Sequence, residues 1–256
     1  MTHPWFLPDR PRILAHRGFV PDDAEGVVEN SLAALAGAHA VGAEYVESDC
    51  HLTADDVVVL LHDADLQRVA GDPRSVRDVT VRELEELMST RGGLVTLAQA
   101  LDGFPTLRFN LDVKAADAAE QVGRDVARHS DRVLLTSFSD RRRRLALDAA
   151  RALGGRPATS AGSSVIARTL AAVATRSSRA VRRVLDGVDA VQVPLRQGPV
   201  PIVRRRFIDA VHAAGVEVHV WTINDEDLMA ELLELGVDGV VTDRADRALA
   251  VLRSRS

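Results

Sequence analysis

Arg108-Phe-Asn-Leu-Asp-Val-Lys114 alternates in a way that decides the fold. Successive side chains on a strand point to opposite faces, so Asn110, Asp112 and Lys114 share one face while Phe109, Leu111 and Val113 share the other. Three polar groups running to the C-terminal end of one face, backed by a wholly apolar face, describe one stave of a (β/α)8 barrel. The apolar side lies outward beneath helices and the polar end opens at the barrel mouth. Glu44-Tyr-Val-Glu-Ser-Asp-Cys-His51 reads the same way, with Glu47, Asp49 and His51 on one face.

Outward from these two segments, short β-rich runs alternate with longer Ala/Leu-rich stretches. Strands are expected at Ile13–His16, Glu44–Asp49, Arg108–Val113, Val133–Ser137, Arg156–Ser160, Asp189–Val193, Glu217–Thr222 and Gly239–Thr242, eight in all, the number that closes such a barrel. The length of 256 residues also suits this α/β fold, which typically takes ~250. Thr80-Val-Arg-Glu83 fits a capping box, Ser139 and Asn224 are candidate N-caps, and Gly154, Gly215 and Gly236 stand where helices should stop. One run breaks the alternation. Val57–Leu61 follows the second strand too soon for a crossover helix, which predicts an antiparallel hairpin that returns His62 to a position roughly opposite Glu47. With no linker, repeat or low-complexity tract, residues 1–256 are expected to form one domain.

The bulk numbers exclude several function classes. A net charge of −5 lacks the basic face of a nucleic-acid binder and the polybasic cluster of a membrane-surface anchor. The Arg141–Arg144 and Arg168–Arg183 stretches read as solvated helix faces. Cys50 is the sole cysteine, which rules out a disulfide framework or a thiolate metal site. No secretory signal pattern opens the chain and no run reaches the ~20 apolar residues of a membrane span, so a cytoplasmic location is expected.

The polar strand ends carry the chemistry. Glu47, Asp49 and Asp112 are hard oxygen donors on adjacent strands. Carboxylates that close raise each other's pKa unless a cation lies among them, and an all-oxygen set favours Mg²⁺, Ca²⁺ or Mn²⁺ over Zn²⁺; one divalent cation, Mg²⁺ or Ca²⁺, is expected. The competing structural reading is a set of salt bridges to Arg17 and Lys114. His16 ends the first strand and His62 ends the hairpin strand; two imidazoles converging on the carboxylates can take and give protons near neutrality. Arg17 and Lys114, the latter the only lysine among 32 basic residues, supply positive charge for a phosphate. Gly18 would let backbone approach a ligand, and Trp221 would wall the pocket. His39, His129 and His212 read as structural, while His51 is a further candidate on the inward face. The constellation points to phosphoryl transfer. A Schiff-base lyase using Lys114 and a barrel that only binds a phospho-ligand are the alternatives.

Read in order, Ala15-His-Arg-Gly18, Glu29-Asn30-Ser, Glu47-Ser-Asp49, His51-Leu-Thr53, His62-Asp63, Asn110-Leu-Asp-Val-Lys114, Ser137-Phe138, Val220-Trp-Thr-Ile-Asn224 and Gly236-Val-Asp-Gly-Val-Val-Thr-Asp-Arg244 resemble the glycerophosphodiester phosphodiesterases from about Leu14 to Asp246. The resemblance implies a barrel like that of the phosphatidylinositol-specific phospholipases C. It also implies a divalent metal held by Glu47, Asp49 and Asp112, catalytic His16 and His62, and a substrate pocket lined by Arg17, Lys114 and Trp221. The implied substrates are small glycerophosphodiesters, cleaved to an alcohol and sn-glycerol 3-phosphate; relatives of lysophospholipase D type release choline or ethanolamine from lysophospholipids. The sequence departs from the family pattern at Asp112, where glutamate is usual, at Leu94-Val-Thr-Leu97, at Ala245 and at Gln67. None of these removes a catalytic group.

Overall fold

The computed structural model describes residues 2–8 and 11–254. Its strands are β1 (Arg12–His16), β2 (Tyr45–Leu52), β3 (Val58–Leu60), β4 (Arg108–Val113), β5 (Val133–Thr136), β6 (Ala158–Thr159), β7 (Ala190–Pro194), β8 (Arg196–Gln197), β9 (Val200–Pro201), β10 (Glu217–Trp221) and β11 (Gly239–Thr242). Eight of them run parallel in the order β6-β5-β4-β2-β1-β11-β10-β7, and a single bridge between Ser160 and Ala190 joins the two ends. The expected (β/α)8 barrel is thereby formed, with helices between successive strands.

The seam is narrow for a local reason. β6 spans two residues where five were expected, because Pro157 has no N–H to give to a ladder and the Thr159 N–H is taken by the Asp189 carboxylate at 2.8 Å. Elsewhere the alternation holds. Phe109, Leu111 and Val113 pack outward with Leu35, Ala38, Val122 and Val126, and the register aligns Glu47 with Asn110 and Asp49 with Asp112.

The hairpin forms as expected, β3 pairing antiparallel with β2 through Cys50 and Leu60. Continuing that register sets His62 level with Ser48, one residue from the expected Glu47. A second small hairpin, β8–β9, turns at Gly198 (φ +56°); its two-residue arms are too short to give a periodic signal. Thr80 and Glu83 form the expected capping box and Ser139 caps the helix Asp140–Ala152. The helix Glu226–Leu235 is capped by Asp225, one residue after the expected Asn224. Gly18 also departs from expectation. A Cβ there would come within 2.7 Å of the Ala34 backbone, so its lack of a side chain lets the turn after β1 pack on the helix Leu32–Ala40 rather than admit a ligand.

The short helical turn Pro4–Phe6, unassigned from sequence, plugs the N-terminal end of the barrel. Trp5 is fully buried there among Leu14, Tyr45, Leu134 and Val241. Its indole N–H donates to the Phe109 carbonyl at 3.1 Å, and the Tyr45 hydroxyl donates to the Trp5 carbonyl at 3.1 Å. Arg12, also buried, donates to Glu217 at 2.8 Å and to the Phe6 carbonyl. Replacing Trp5 by Ala is expected to cost about 3–5 kcal/mol in a urea unfolding titration, since it empties a buried aromatic site and orphans its partner.

Candidate active site

Each functional side chain is set by a strand end or by the turn after it. β1 ends at His16, and Arg17 follows in a left-handed conformation (φ +57°). The Arg17 N–H donates to the Glu47 carbonyl at 2.8 Å, and the Arg17 carbonyl accepts from Asn30 N–H at 2.8 Å. Asn30 is left-handed as well (φ +58°), so two uncommon backbone conformations lock each other at the barrel mouth.

A cavity of about 520 Å³ opens at this end, and His16, Arg17, Glu47, Asp49, His62, Asp112, Lys114 and Trp221 all line it. The eight residues selected from sequence therefore meet in one place. Asn110 joins them on the polar side. The opposite wall is apolar, built by Ala161, Ile166 and Leu170 with Phe138 and Ile202. Phe138 meets Trp221 edge-on at 5.9 Å and has the Lys114 ammonium 5.6 Å from its ring centre.

The two imidazoles are held alike. His16 Nδ1 lies 2.6 Å from Asp243 Oδ1 and His62 Nδ1 lies 2.6 Å from Asp63 Oδ1. A carboxylate at Nδ1 fixes the tautomer and leaves Nε2 as the free nitrogen; His16 Nε2 is 3.8 Å from Glu47 Oε2. The hydrogen bond from His16, followed by that from Asn224, holds the Asp243 carboxyl below its usual range. Arg68, followed by His62, does the same for Asp63.

The carboxylate cluster combines the two readings offered by sequence. Lys114 Nζ bridges Asp49 Oδ1 at 2.9 Å and Asp112 Oδ2 at 2.8 Å, and Asn30 donates to Asp49 Oδ2 at 3.0 Å. Arg17 Nε stands 3.2 Å from the same Asp49 oxygen without hydrogen-bond alignment. Asp49 is thus fully paired. Glu47 Oε2, Asp112 Oδ1 and Asn110 Oδ1 are buried with no hydrogen-bond partner. Burial, then the charges of Asp49 and Asp112, push the Glu47 carboxyl well above its usual range. Burial also raises Asp112, against the pull of Lys114. Among the described residues, no three His, Cys, Asp or Glu side chains converge as they stand on a metal-sized point. Yet three unpartnered hard oxygens on neighbouring strands have the donor chemistry of a Mg²⁺ or Ca²⁺ site, and buried oxygens left orphaned are costly without an ion to meet them.

Lys114 is a protonated amine. Burial alone would lower its pKa, but Asp49 and Asp112 outweigh that and carry it well above the ordinary lysine value.

Sequence reasoning missed the partners behind the site: Asp243, Asp63, Glu29 and Arg68. All but Arg68 stand within the quoted motifs, and Asp63 directly follows His62 while Asp243 directly follows the last strand, which is the signal that could have flagged those two. His51 does not line the cavity; it is buried, with its Nε2 3.2 Å from the His62 carbonyl oxygen. His219 lies inside the barrel against Gln192 and Glu217. Arg141 and Arg144 are exposed as expected, but Arg143 is buried and donates to Thr159 at 3.1 Å.

The family described as "Glycerophosphoryl diester phosphodiesterase family" matches residues 16–247. The chain is 38% identical over 245 residues to "Probable glycerophosphodiester phosphodiesterase 2" of Mycobacterium tuberculosis, covering 94% of this chain and 90% of that protein. It is 22% identical to a lysophospholipase D of Rattus norvegicus, over 96% of this chain and 87% of the other. Among solved structures, an Oleispira antarctica phosphodiesterase in complex with the product sn-glycerol 3-phosphate superposes with a TM-score of 0.71 at 22% identity, covering 95% of this chain and 97% of that one. Among the described residues no helix is long and apolar enough to cross a membrane.

Proposed function

We propose, for a chain that belongs to the glycerophosphoryl diester phosphodiesterase family, that His16 and His62 share the proton transfers by which it cleaves a glycerophosphodiester to an alcohol and sn-glycerol 3-phosphate. The protein is a phosphoric diester hydrolase, a glycerophosphodiester phosphodiesterase. One observation carries the assignment of roles. Two imidazoles, each held at Nδ1 by a carboxylate at 2.6 Å, open on one cavity that also holds Arg17 and Lys114.

In this mechanism Arg17 and Lys114 bind the phosphodiester oxygens and orient the scissile bond. One imidazole removes the proton of the nucleophile, either the neighbouring glycerol hydroxyl or water. The other protonates the departing alcohol oxygen. Asp243 and Asp63 hold the two rings in the tautomer this requires and stabilise each imidazolium as it forms. Glu47, Asp49 and Asp112, with the unpartnered oxygen of Asn110 beside them, would hold one divalent cation, Mg²⁺ or Ca²⁺. Such an ion supplies positive charge against the phosphoryl oxygens.

A second reading, lysophospholipase D-type cleavage of a lysophospholipid, is favoured by the apolar wall of Ala161, Ile166, Leu170 and Ile202 and by Phe138 at the rim, which is 58% exposed. A Schiff-base lyase is disfavoured, because a Lys114 amine kept protonated between two carboxylates is a poor nucleophile.

Product analysis separates these readings. Glycerophosphocholine, glycerophosphoinositol and lysophosphatidylcholine are each incubated with enzyme and Mg²⁺ or Ca²⁺. Release of sn-glycerol 3-phosphate from the first two is expected. Choline released only from lysophosphatidylcholine would support the second reading, and no hydrolysis of any diester would overturn both.

A further inference from the structure

We propose that Arg68 is a positioning residue that joins the substrate-binding Arg17 to the orientation of His62, so that the two sides of the site are set together. This rests on the roles proposed above for Arg17 and His62. Arg68 lies in the one-turn helix Gln67–Ala70, just beyond the hairpin, and sequence gave it no role.

The geometry is a continuous chain of ion pairs. Arg17 Nη1 donates to Glu29 Oε1 at 2.6 Å, and the same oxygen accepts from Arg68 Nη2 at 2.7 Å. Arg68 Nε donates to Asp63 Oδ2 at 2.6 Å, while the other oxygen of Asp63 meets His62 Nδ1 at 2.6 Å. The guanidinium thus spans two carboxylates, one shared with Arg17 and one with His62. The planar fork meets the two carboxylates through separate nitrogens, Nε and Nη2, a geometry that the single ammonium of a lysine does not reproduce. The neighbouring backbone leaves little slack, because Arg17 and Asn30 are pinned to each other and Glu29 directly precedes Asn30.

Stability alone gives little reason for the arrangement. The Arg68 side chain is 50% exposed, and exposed ion pairs contribute little to folding. Orientation is another matter. A carboxylate held from behind fixes the imidazole in front of it, and loss of the analogous outer partners of metal-bound histidines costs about 10–100-fold. With Arg68 removed, Asp63 keeps only its contact to His62, and carboxylate and ring are free to turn together. Glu29 likewise loses its second partner and is left held by Arg17 alone.

The test compares Arg68→Ala, Arg68→Lys, Glu29→Gln and the Glu29→Gln/Arg68→Ala double variant with His62→Ala and Arg17→Ala, using glycerophosphocholine, pH–rate profiles and thermal unfolding. Arg68→Ala is expected to lower kcat/KM by at least about tenfold, with the melting temperature little changed. It should also move the His62 limb of the pH profile upward, because a positive charge behind Asp63 is lost while every other charge around the cavity stays. Arg68→Lys should restore only part of the rate. The double variant should be little worse than the worse single variant, since both substitutions break one chain. A rate within twofold of wild type in Arg68→Ala, beside collapsed activity in His62→Ala and Arg17→Ala, would overturn the proposal. So would a loss of rate in Arg68→Ala with an unmoved pH profile and a lowered melting temperature. Full activity in His62→Ala or Arg17→Ala would overturn the underlying reading instead.

Discussion

His16→Ala and His62→Ala are each expected to lower kcat on glycerophosphocholine by at least about 100-fold, the lower end of what a positioned acid or base contributes. The cause is specific to the two rings. Each has Nδ1 occupied by a carboxylate, so Nε2 is the nitrogen left to exchange a proton with substrate, and among the described residues no third imidazole lines the cavity to replace either one. Folding should survive both changes, because neither ring belongs to the buried core. Each variant should also lose one limb of the bell-shaped pH–rate curve, and the limb that disappears identifies which ring is base and which is acid. Asp243→Asn and Asp63→Asn should cost less than removal of the ring itself, as they loosen its orientation without deleting it. Wild-type turnover in both histidine variants would end the assignment.

Chelation is the second large effect. EDTA is expected to abolish hydrolysis and Mg²⁺ or Ca²⁺ to restore it. The affinity for the ion should rise with pH. Glu47 explains the sign: burial and its carboxylate neighbours hold its pKa above the usual value, so at mildly acid pH a fraction is protonated, and only the ionised form binds a cation. Below that raised pKa the affinity falls, by up to tenfold per pH unit for each proton released. Glu47→Gln keeps the shape, removes the charge, and should weaken metal binding by at least about tenfold. Calorimetric titration at several pH values checks both statements. Equal activity with and without chelator would leave the orphaned oxygens of Glu47 and Asp112 without this explanation.

Legibility in the sequence followed the range of the interactions. Face alternation along β2 and β4 is local, so it alone aims Glu47, Asp49, Asp112 and Lys114 at one barrel mouth. The hairpin was a matter of chain length, and its register came out within one residue. Partners fixed by tertiary distance were different. Arg68 reaches Glu29 across 39 residues and Asp243 reaches His16 across 227, and no periodicity encodes either meeting. Asn224 and Asp225 are both good caps, and sequence alone does not choose between adjacent candidates. Arg143 sits in a run of four arginines whose composition suggests solvent, yet it shares the buried helix face with Ala146, Leu147 and Ala150. The brevity of β6 depended on an aspartate 30 residues away taking a backbone donor.

The chain has two tryptophans, and they occupy opposite poles of the barrel. Trp221 stands in the wall of the cavity; Trp5 is sealed at the far end, bonded to a carbonyl 104 residues away. Trp5 therefore cannot be seated until strands far along the chain have come together. One indole senses what enters the mouth and the other senses whether the staves are assembled. A fluorescence change confined to Trp221 would signal occupancy, one confined to Trp5 would signal a barrel coming apart, and a single spectrum of the intact protein carries both messages.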